Sequence, residues 1–505
     1  MIIGIIGAGF AGLASARVLR ALGHDVTVYE KAPDVGGVWS ATRRYPGLRT
    51  QNNKGSYTLS DMAMPQSFPQ WPTSEQVQQY LEEYVAEFDL DEVLRLSTEV
   101  VDAEPAAGGG WDVTVCAASD PPTGIDAGGH ADTDTAHFDH VVVASGIFSQ
   151  PFVPDYEGIA ELERVGGRLL PANEMRSLDQ VRGKHAVIVG YGKSACDIAV
   201  ETSTAARSTT VVARNLLWKM PRRVKGVINY KYLLLTRLGE GLFPYRRLKG
   251  FERLLHARGS AVANGMLGGV EKITTGQLRL VRLGLLPQGT FADIARSTVS
   301  LATEGFFEAV SEGRIAVKRD NRIVRFVDKD GEPYAELADG QVIRADIVLA
   351  ATGWTQEIPF LRPSIMERLV DENGDFLLYR QIHPINVHDL SFAGYNSSFL
   401  SPLSAEASAI WIGSLLGGNH RTPSRDEMLE ETRERLAWMR ERTRGKHARG
   451  TNLIPFSVHN IDEVLSDVGL DVSRATKFKQ WLLPFNPQDY RHITPRLAKT
   501  LKTAS

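Results

Sequence analysis

Ile2-Ile3-Gly4-Ile5-Ile6-Gly7-Ala8-Gly9-Phe10-Ala11-Gly12 decides the fold. A strand-length apolar run leads into glycines at 7, 9 and 12, and a helix-like stretch follows over residues 13–22. Gly7 permits a tight turn, Gly9 lets a pyrophosphate approach the backbone, and Gly12 lets helix and strand pack closely. The helix start, with Ala8, Phe10 and Ala11 in the same turn, offers free N–H groups and a partial positive charge to phosphates. The pattern recurs as Gly190-Tyr191-Gly192-Lys193-Ser194-Ala195, after the apolar residues 186–189 and before a second helix-like stretch, 196–202. One such turn is weak evidence because Gly-rich turns are common. Two, each with strand, helix and downstream polar residue in place, are specific.

The copies differ in one charge. Glu30 stands 23 positions after Gly7 and ends the strand-like residues 26–29; Arg214 stands 24 positions after Gly190 and ends residues 210–213. A carboxylate there accepts hydrogen bonds from a free ribose 2′-hydroxyl, whereas a guanidinium pairs with a 2′-phosphate. The first unit is therefore expected to hold FAD or NAD. The second is expected to hold NADPH, with Gly190 and Gly192 in the turn and Lys193 and Ser194 reaching its phosphates. Arg222 and Arg223 reinforce the anion site.

With 505 residues the chain has room for two to four domains. Its net charge of −3 gives no reason to expect a nucleic-acid partner. Two distant cysteines, Cys116 and Cys196, exclude a disulfide scaffold, a CxxC redox pair and a cysteine-based zinc site. His383 and His388 lack a third ligand at metal spacing, so no metal is expected. The apolar start runs straight into the first turn and reads as a buried strand rather than a signal peptide. No apolar stretch approaches the roughly 20 residues of a transmembrane helix, and residues 491–505 are polar and basic. A cytoplasmic protein is expected.

The expected class is α/β, with two Rossmann-like dinucleotide-binding domains. Residues 1–154 form the first part of the FAD domain, 155–330 the NADPH domain, and 331–505 the second part of the FAD domain with C-terminal helices. Residues 74–88 read as an amphipathic helix capped by Ser74, and 117–136 as an exposed loop rich in Gly, Asp, Thr and Pro. Residues 347–353 read as a buried strand returning the chain to the first domain. Residues 405–416 read as an apolar helix, and 424–442 as a charged one with a Ser424–Glu427 capping box. A helical insert, about 219–286, is basic; it reads first as a solvated face, with a substrate lid or a homodimer contact as alternatives.

Further pieces carry a resemblance. They are Gly36-Gly37-Val38-Trp39, Tyr45 through Lys54 with Ser60-Asp61 and Pro65, Arg214 with Trp218, Pro221 and Arg222, and Ala351-Thr352-Gly353-Trp354. Together with the two turns they resemble the class B flavin-containing monooxygenases, relatives of the Baeyer–Villiger enzymes, over most of the chain. The family's FxGxxxH pattern falls here on Val165, Gly167 and Pro171, so its histidine is replaced by proline.

The resemblance implies an NADPH-dependent FAD monooxygenase that passes one oxygen atom of O2, through a flavin (hydro)peroxide, to a nitrogen or sulfur of a small organic substrate. Baeyer–Villiger oxidation of a ketone, an uncoupled NADPH oxidase and a non-catalytic nucleotide-binding protein are the alternatives. Gly37, Val38 and Trp39 are expected beside the flavin, and Thr352 and Gly353 at the linker. Gln51 aligns where the monooxygenases carry Asn and the Baeyer–Villiger enzymes an acid. Its amide, with Asn52 beside it, is expected to serve the oxygen chemistry, against the alternative of an ordinary polar turn.

Overall fold

Two five-stranded parallel sheets organise the chain. The computed structural model describes residues 1–118, 133–296, 300–418 and 422–504. The first sheet runs in the order Leu390–Phe392, His140–Val143, Ile2–Ile6, Asp25–Tyr29, Leu94–Arg95, with every pair parallel. The second runs Arg168–Pro171, Ile347–Ala350, His185–Val189, Ser208–Ala213, Ile315–Arg319, again all parallel. Parallel strands are covered on both faces, which is why His140–Val143 and Ile347–Ala350 are buried throughout.

The two sheets share a plan. In each, the central strand leads through a glycine turn into a helix, Phe10–Ala21 or Lys193–Thr202. In each, an antiparallel three-stranded meander precedes the fourth strand: Thr98–Pro105, Trp111–Ala117 and Thr133–Phe138 in one, Ile323–Lys329, Glu332–Leu337 and Val342–Arg344 in the other. The edge strand beyond the fourth comes late in the first unit, from Leu390–Phe392, and early in the second, from Arg168–Pro171. The chain crosses between units through Gln150–Pro151 and Trp354–Thr355, which pair side by side.

Helix Ser401–Leu416 is buried from Pro402 to Ser414 and packs on Phe10–Ala21. Apart from Glu406 its residues are apolar or small on every side, as a helix enclosed by its neighbours requires. Helix Arg425–Thr443 begins with the expected capping box, Ser424 with Glu427.

Four expectations change. Ile347–Ala350 pairs with His185–Val189 and Arg168–Pro171, so it closes the second sheet and the return to the first unit comes after it, not at residue 331. Thr133–Phe138 is the third meander strand rather than loop, pairing with Trp111–Ala117; residues 119–132 of that expected loop lie outside the described residues. Helix Ser74–Glu87 is capped by Thr73, not Ser74, because Gln76 sits at the third helical position and answers Thr73 in a capping box.

The insert, finally, is the expected solvated charge run at Arg223, Lys225, Arg247, Lys249, Arg253 and Arg258, which are all exposed, but other arginines are held inward by acids. Arg246 is 3% exposed and ion-pairs with Glu431 and, at 3.1 Å, Glu463; Arg237 pairs with Asp462. It also extends past residue 286, to Ser300–Leu301, which pairs in parallel with Lys219–Met220.

Candidate functional site

The first turn is built so that backbone meets backbone. Gly7 has φ +108°, and a Cβ on it would lie 2.7 Å from the Ala144 carbonyl oxygen. A Cβ on Gly12 would lie 1.8 Å from the Gly7 oxygen, inside any contact distance. Gly9 faces Gly37, whose Cα would sit 3.5 Å from a Gly9 Cβ. Gly36 (φ +138°) donates its N–H to the Ala8 oxygen at 3.0 Å and so locks the second glycine pair against the first turn. Helix Phe10–Ala21 has no side-chain cap and no acidic residue in its first turn. Its first N–H groups are thus left for an anion from outside the chain.

Glu30 follows strand Asp25–Tyr29 as expected. Its Oε2 accepts from the Ala8 N–H at 2.8 Å and its Oε1 from the Ala32 N–H at 2.9 Å. Each oxygen keeps a second lone pair for a ribose hydroxyl. Arg43, missed in the sequence, lies close enough to feel the Glu30 charge and stacks 5.7 Å from the Trp354 ring. Trp39 is 6% exposed and packs edge-on to Tyr57 at 5.8 Å, behind the turn with Phe10; Val38 is half-buried beside it. Little of the Trp39 ring is left to wall a ligand.

The second turn repeats these relations. Gly190 (φ +125°) donates to the Val212 oxygen at 2.9 Å, as Gly7 donates to Tyr29 at 2.8 Å, and a Gly190 Cβ would meet the Ala351 oxygen at 2.4 Å. Gly192 is the N-cap of helix Lys193–Thr202. Lys193 and Ser194 both have partners within the chain. Lys193 Nζ pairs with the buried Asp197 carboxylate, and the Tyr45 hydroxyl donates toward Ser194 Oγ (3.1 Å) and Asp197 Oδ2 (3.3 Å). Thr303 Oγ1 donates to Asp197 Oδ1 at 2.6 Å. Burial, then the Asp197 charge, push the Tyr45 hydroxyl well above its ordinary range. Asp197 therefore ties the first unit's loop to the second unit's helix. Arg214 follows strand Ser208–Ala213, is exposed and has no hydrogen-bonded partner among the described residues. Thr352 and Gly353 sit at the crossing, where Thr352 Oγ1 donates to the Phe152 oxygen and the Phe152 N–H donates to Gly353 at 2.9 Å. Pro171, in the place of the family histidine, ends the edge strand of the second sheet, opposite Ala350.

Gln51 stands at the seam. Its Oε1 accepts from the Leu301 N–H at 3.1 Å, and its main-chain oxygen accepts from Trp71 Nε1 and the Tyr230 hydroxyl, each at 3.2 Å. The amide Nε2 has no partner among the described residues, so its two N–H donors remain free. Asn52 is buried and donates through Nδ2 to the Phe399 oxygen, just ahead of helix Ser401–Leu416. Arg222 and Arg223 cover Trp71, at 5.2 and 5.9 Å from its ring.

On the same buried helix, Glu406 accepts from the Ser60 N–H at 2.8 Å and from Ser60 Oγ at 2.5 Å. Burial, then the nearby Asp61, raise its carboxyl from 4.5 to about 7. A folded-state value above the unfolded one means stability that is present below pH 4.5 and lost as pH rises to about 7. Comparing thermal unfolding of wild type and Glu406→Gln across that window should show the wild type losing ground, by on the order of 3 kcal/mol. Parallel curves would show that Glu406 is not held neutral.

These two cradles, closed to a Cβ at Gly7, Gly12 and Gly190 and each with a helix N-terminus, fit dinucleotides. The family described as "Flavin-binding monooxygenase-like" matches residues 2–245 and 313–475. The "Probable flavin-containing monooxygenase 1" of Arabidopsis thaliana is 26% identical over 531 aligned positions, covering 97% of this chain and 96% of that protein. Among solved structures, S-allyl-L-cysteine S-oxygenase from Allium sativum aligns with a TM-score of 0.62 at 18% identity, covering 99% of this chain and 98% of that one. Cyclohexanone monooxygenase from Rhodococcus sp. Phi1, bound to NADP+, gives 0.62 at 17%, covering 100% and 98%. The match spans both glycine turns and both crossings between units, and the chain belongs to the flavin-binding monooxygenase-like family as a flavin-dependent monooxygenase.

Proposed function

We propose that this protein is an NADPH-dependent FAD monooxygenase that transfers one oxygen atom of O2 to a nitrogen or sulfur of a small organic substrate. The carrying observation is the pair of homologous cradles with opposite charges at the ribose-reading position, Glu30 in one and Arg214 in the other. The Glu30 cradle, with Gly7 through Gly12 and Gly37, holds FAD. The Gly190–Gly192 turn holds NADPH, with Arg214 on the 2′-phosphate. FAD held there would supply the redox chemistry, with NADPH, a proton, O2 and substrate consumed overall and oxygenated product, NADP+ and water formed.

The chain's own part is orientation, donors and exclusion of water. Helix N-termini bind the pyrophosphates. Asp197, with Tyr45 and Thr303, holds the two units in one arrangement, so that the nucleotides keep a fixed relation. Gln51 offers N–H donors where an acid would offer a carboxylate. That neutral amide favours N- or S-oxygenation over Baeyer–Villiger chemistry.

Gln51 gives a two-variant test. Gln51→Ala removes the donors and the Leu301 contact; Gln51→Glu keeps an acceptor for the Leu301 N–H, removes the donors and adds a negative charge. Both should be reduced by NADPH without oxygen at near wild-type rates. In air both should release more hydrogen peroxide and less product per NADPH. Unchanged coupling in both would make Gln51 an ordinary turn residue. A panel of amines, thioethers and ketones then separates N- or S-oxygenation from ketone oxidation.

A further inference from the structure

We propose that the outer face of helices Gly250–Ala257, Ser260–Gln277 and Arg474–Leu482 docks on an anionic phospholipid surface, seating the protein peripherally on a membrane. No helix among the described residues is long and apolar enough to cross one. The face instead carries apolar side chains in pairs. Phe251 and Leu254 are 51% and 55% exposed, Val262 and Met266 61% and 42%, Phe478 and Leu482 72% and 69%. Spacings of three or four residues place each pair on one side of its helix. The Phe251 ring meets the Trp481 ring at 5.5 Å, which joins the first helix to the third. The first runs into the second through Gly259, whose N–H bonds to the Leu254 oxygen and whose oxygen accepts from Val262. From residue 259 to 270 the second helix carries no charge.

The charges around these pairs choose the partner. Lys249, Arg253, Arg258 and Lys272 are exposed. The acids of the same segment turn inward: Glu252 Oε2 meets His459 Nε2 at 2.9 Å, and Glu271 accepts the Phe291 N–H at 2.7 Å. What faces outward is apolar surface with a cationic rim, the complement of an anionic lipid surface. A second copy of this chain fits less well, since a two-fold contact would set cationic rim against cationic rim.

Co-sedimentation of the full flavin-loaded protein with vesicles tests this, using phosphatidylcholine alone and phosphatidylcholine mixed with phosphatidylglycerol, at low and high salt. The protein should bind the mixed vesicles, and high salt should weaken that binding. An Arg253→Glu/Arg258→Glu variant should bind at least tenfold more weakly, given about fivefold per basic residue near such a surface. Phe478→Glu/Leu482→Glu should do likewise, and both should keep NADPH-dependent activity. Equal binding to both vesicles, binding to neither, or a dimer in analytical ultracentrifugation that Phe478→Glu dissociates while vesicle binding is absent, would each overturn the proposal.

Discussion

Gly12→Ala protein should purify colourless and unfold at a lower temperature than wild type. Its Cβ would fall 1.8 Å from the Gly7 oxygen and 2.9 Å from the Gly7 carbonyl carbon, and both are backbone. No rotamer relieves that contact, so either the start of helix Phe10–Ala21 moves away from the strand or the turn opens. Overpacked sites typically cost 1–3 kcal/mol even where side chains can shift, so a cost of about 3 kcal/mol or more is expected, from a total of about 5–15 kcal/mol. Either movement displaces the N–H groups that hold the pyrophosphate. Gly23→Ala is the control: its φ is also positive, at +87°, but a Cβ there meets nothing within 4 Å. It should keep its flavin. Flavin absorbance per mole of chain reads the difference, and a yellow Gly12→Ala protein at wild-type stoichiometry would mean that the cradle is not the FAD site.

Arg214→Ala should lose NADPH affinity while its use of NADH barely moves. A charge-assisted hydrogen bond to a phosphate contributes about 1.5–3 kcal/mol, or about 10- to 150-fold in dissociation constant. Arg214 is exposed and free of hydrogen-bonded partners among the described residues, so its removal should leave the fold intact. Titrating the oxidised enzyme with NADP+ and NAD+ gives the affinities without turnover. Equal affinities in the wild type would remove Arg214 from the 2′-phosphate.

What the sequence makes legible is local. Glycine spacing and the charge one strand later depend on short stretches of chain: Gly7 and Gly190 stand in turns at positive φ, Gly12 in the first turn of a helix, and Glu30 and Arg214 just past a strand. The seam is not legible, because its members are distant: Gln51 meets Tyr230 and Leu301, which stand 179 and 250 positions away. Asp197 reads as any helical acid until Tyr45 and Thr303 arrive on it. Ile347–Ala350 is an apolar run that would suit either sheet, since parallel strands buried on both faces look alike. The Thr73 cap could have been found, because Gln76 stands three residues on and completes a capping box that Ser74 lacks. Arg246 reads as solvated because the carboxylates that bury it, Glu431 and Glu463, lie far along the chain.

Oxygen-18 gas supplied to the FAD-loaded enzyme with NADPH and an accepted thioether or amine tests whether O2 is the source of the transferred atom. One labelled atom is expected in each product molecule, the other recovered in water, and one NADPH consumed per product. Label recovered only as hydrogen peroxide, with product unlabelled or absent across the whole substrate panel, would contradict it.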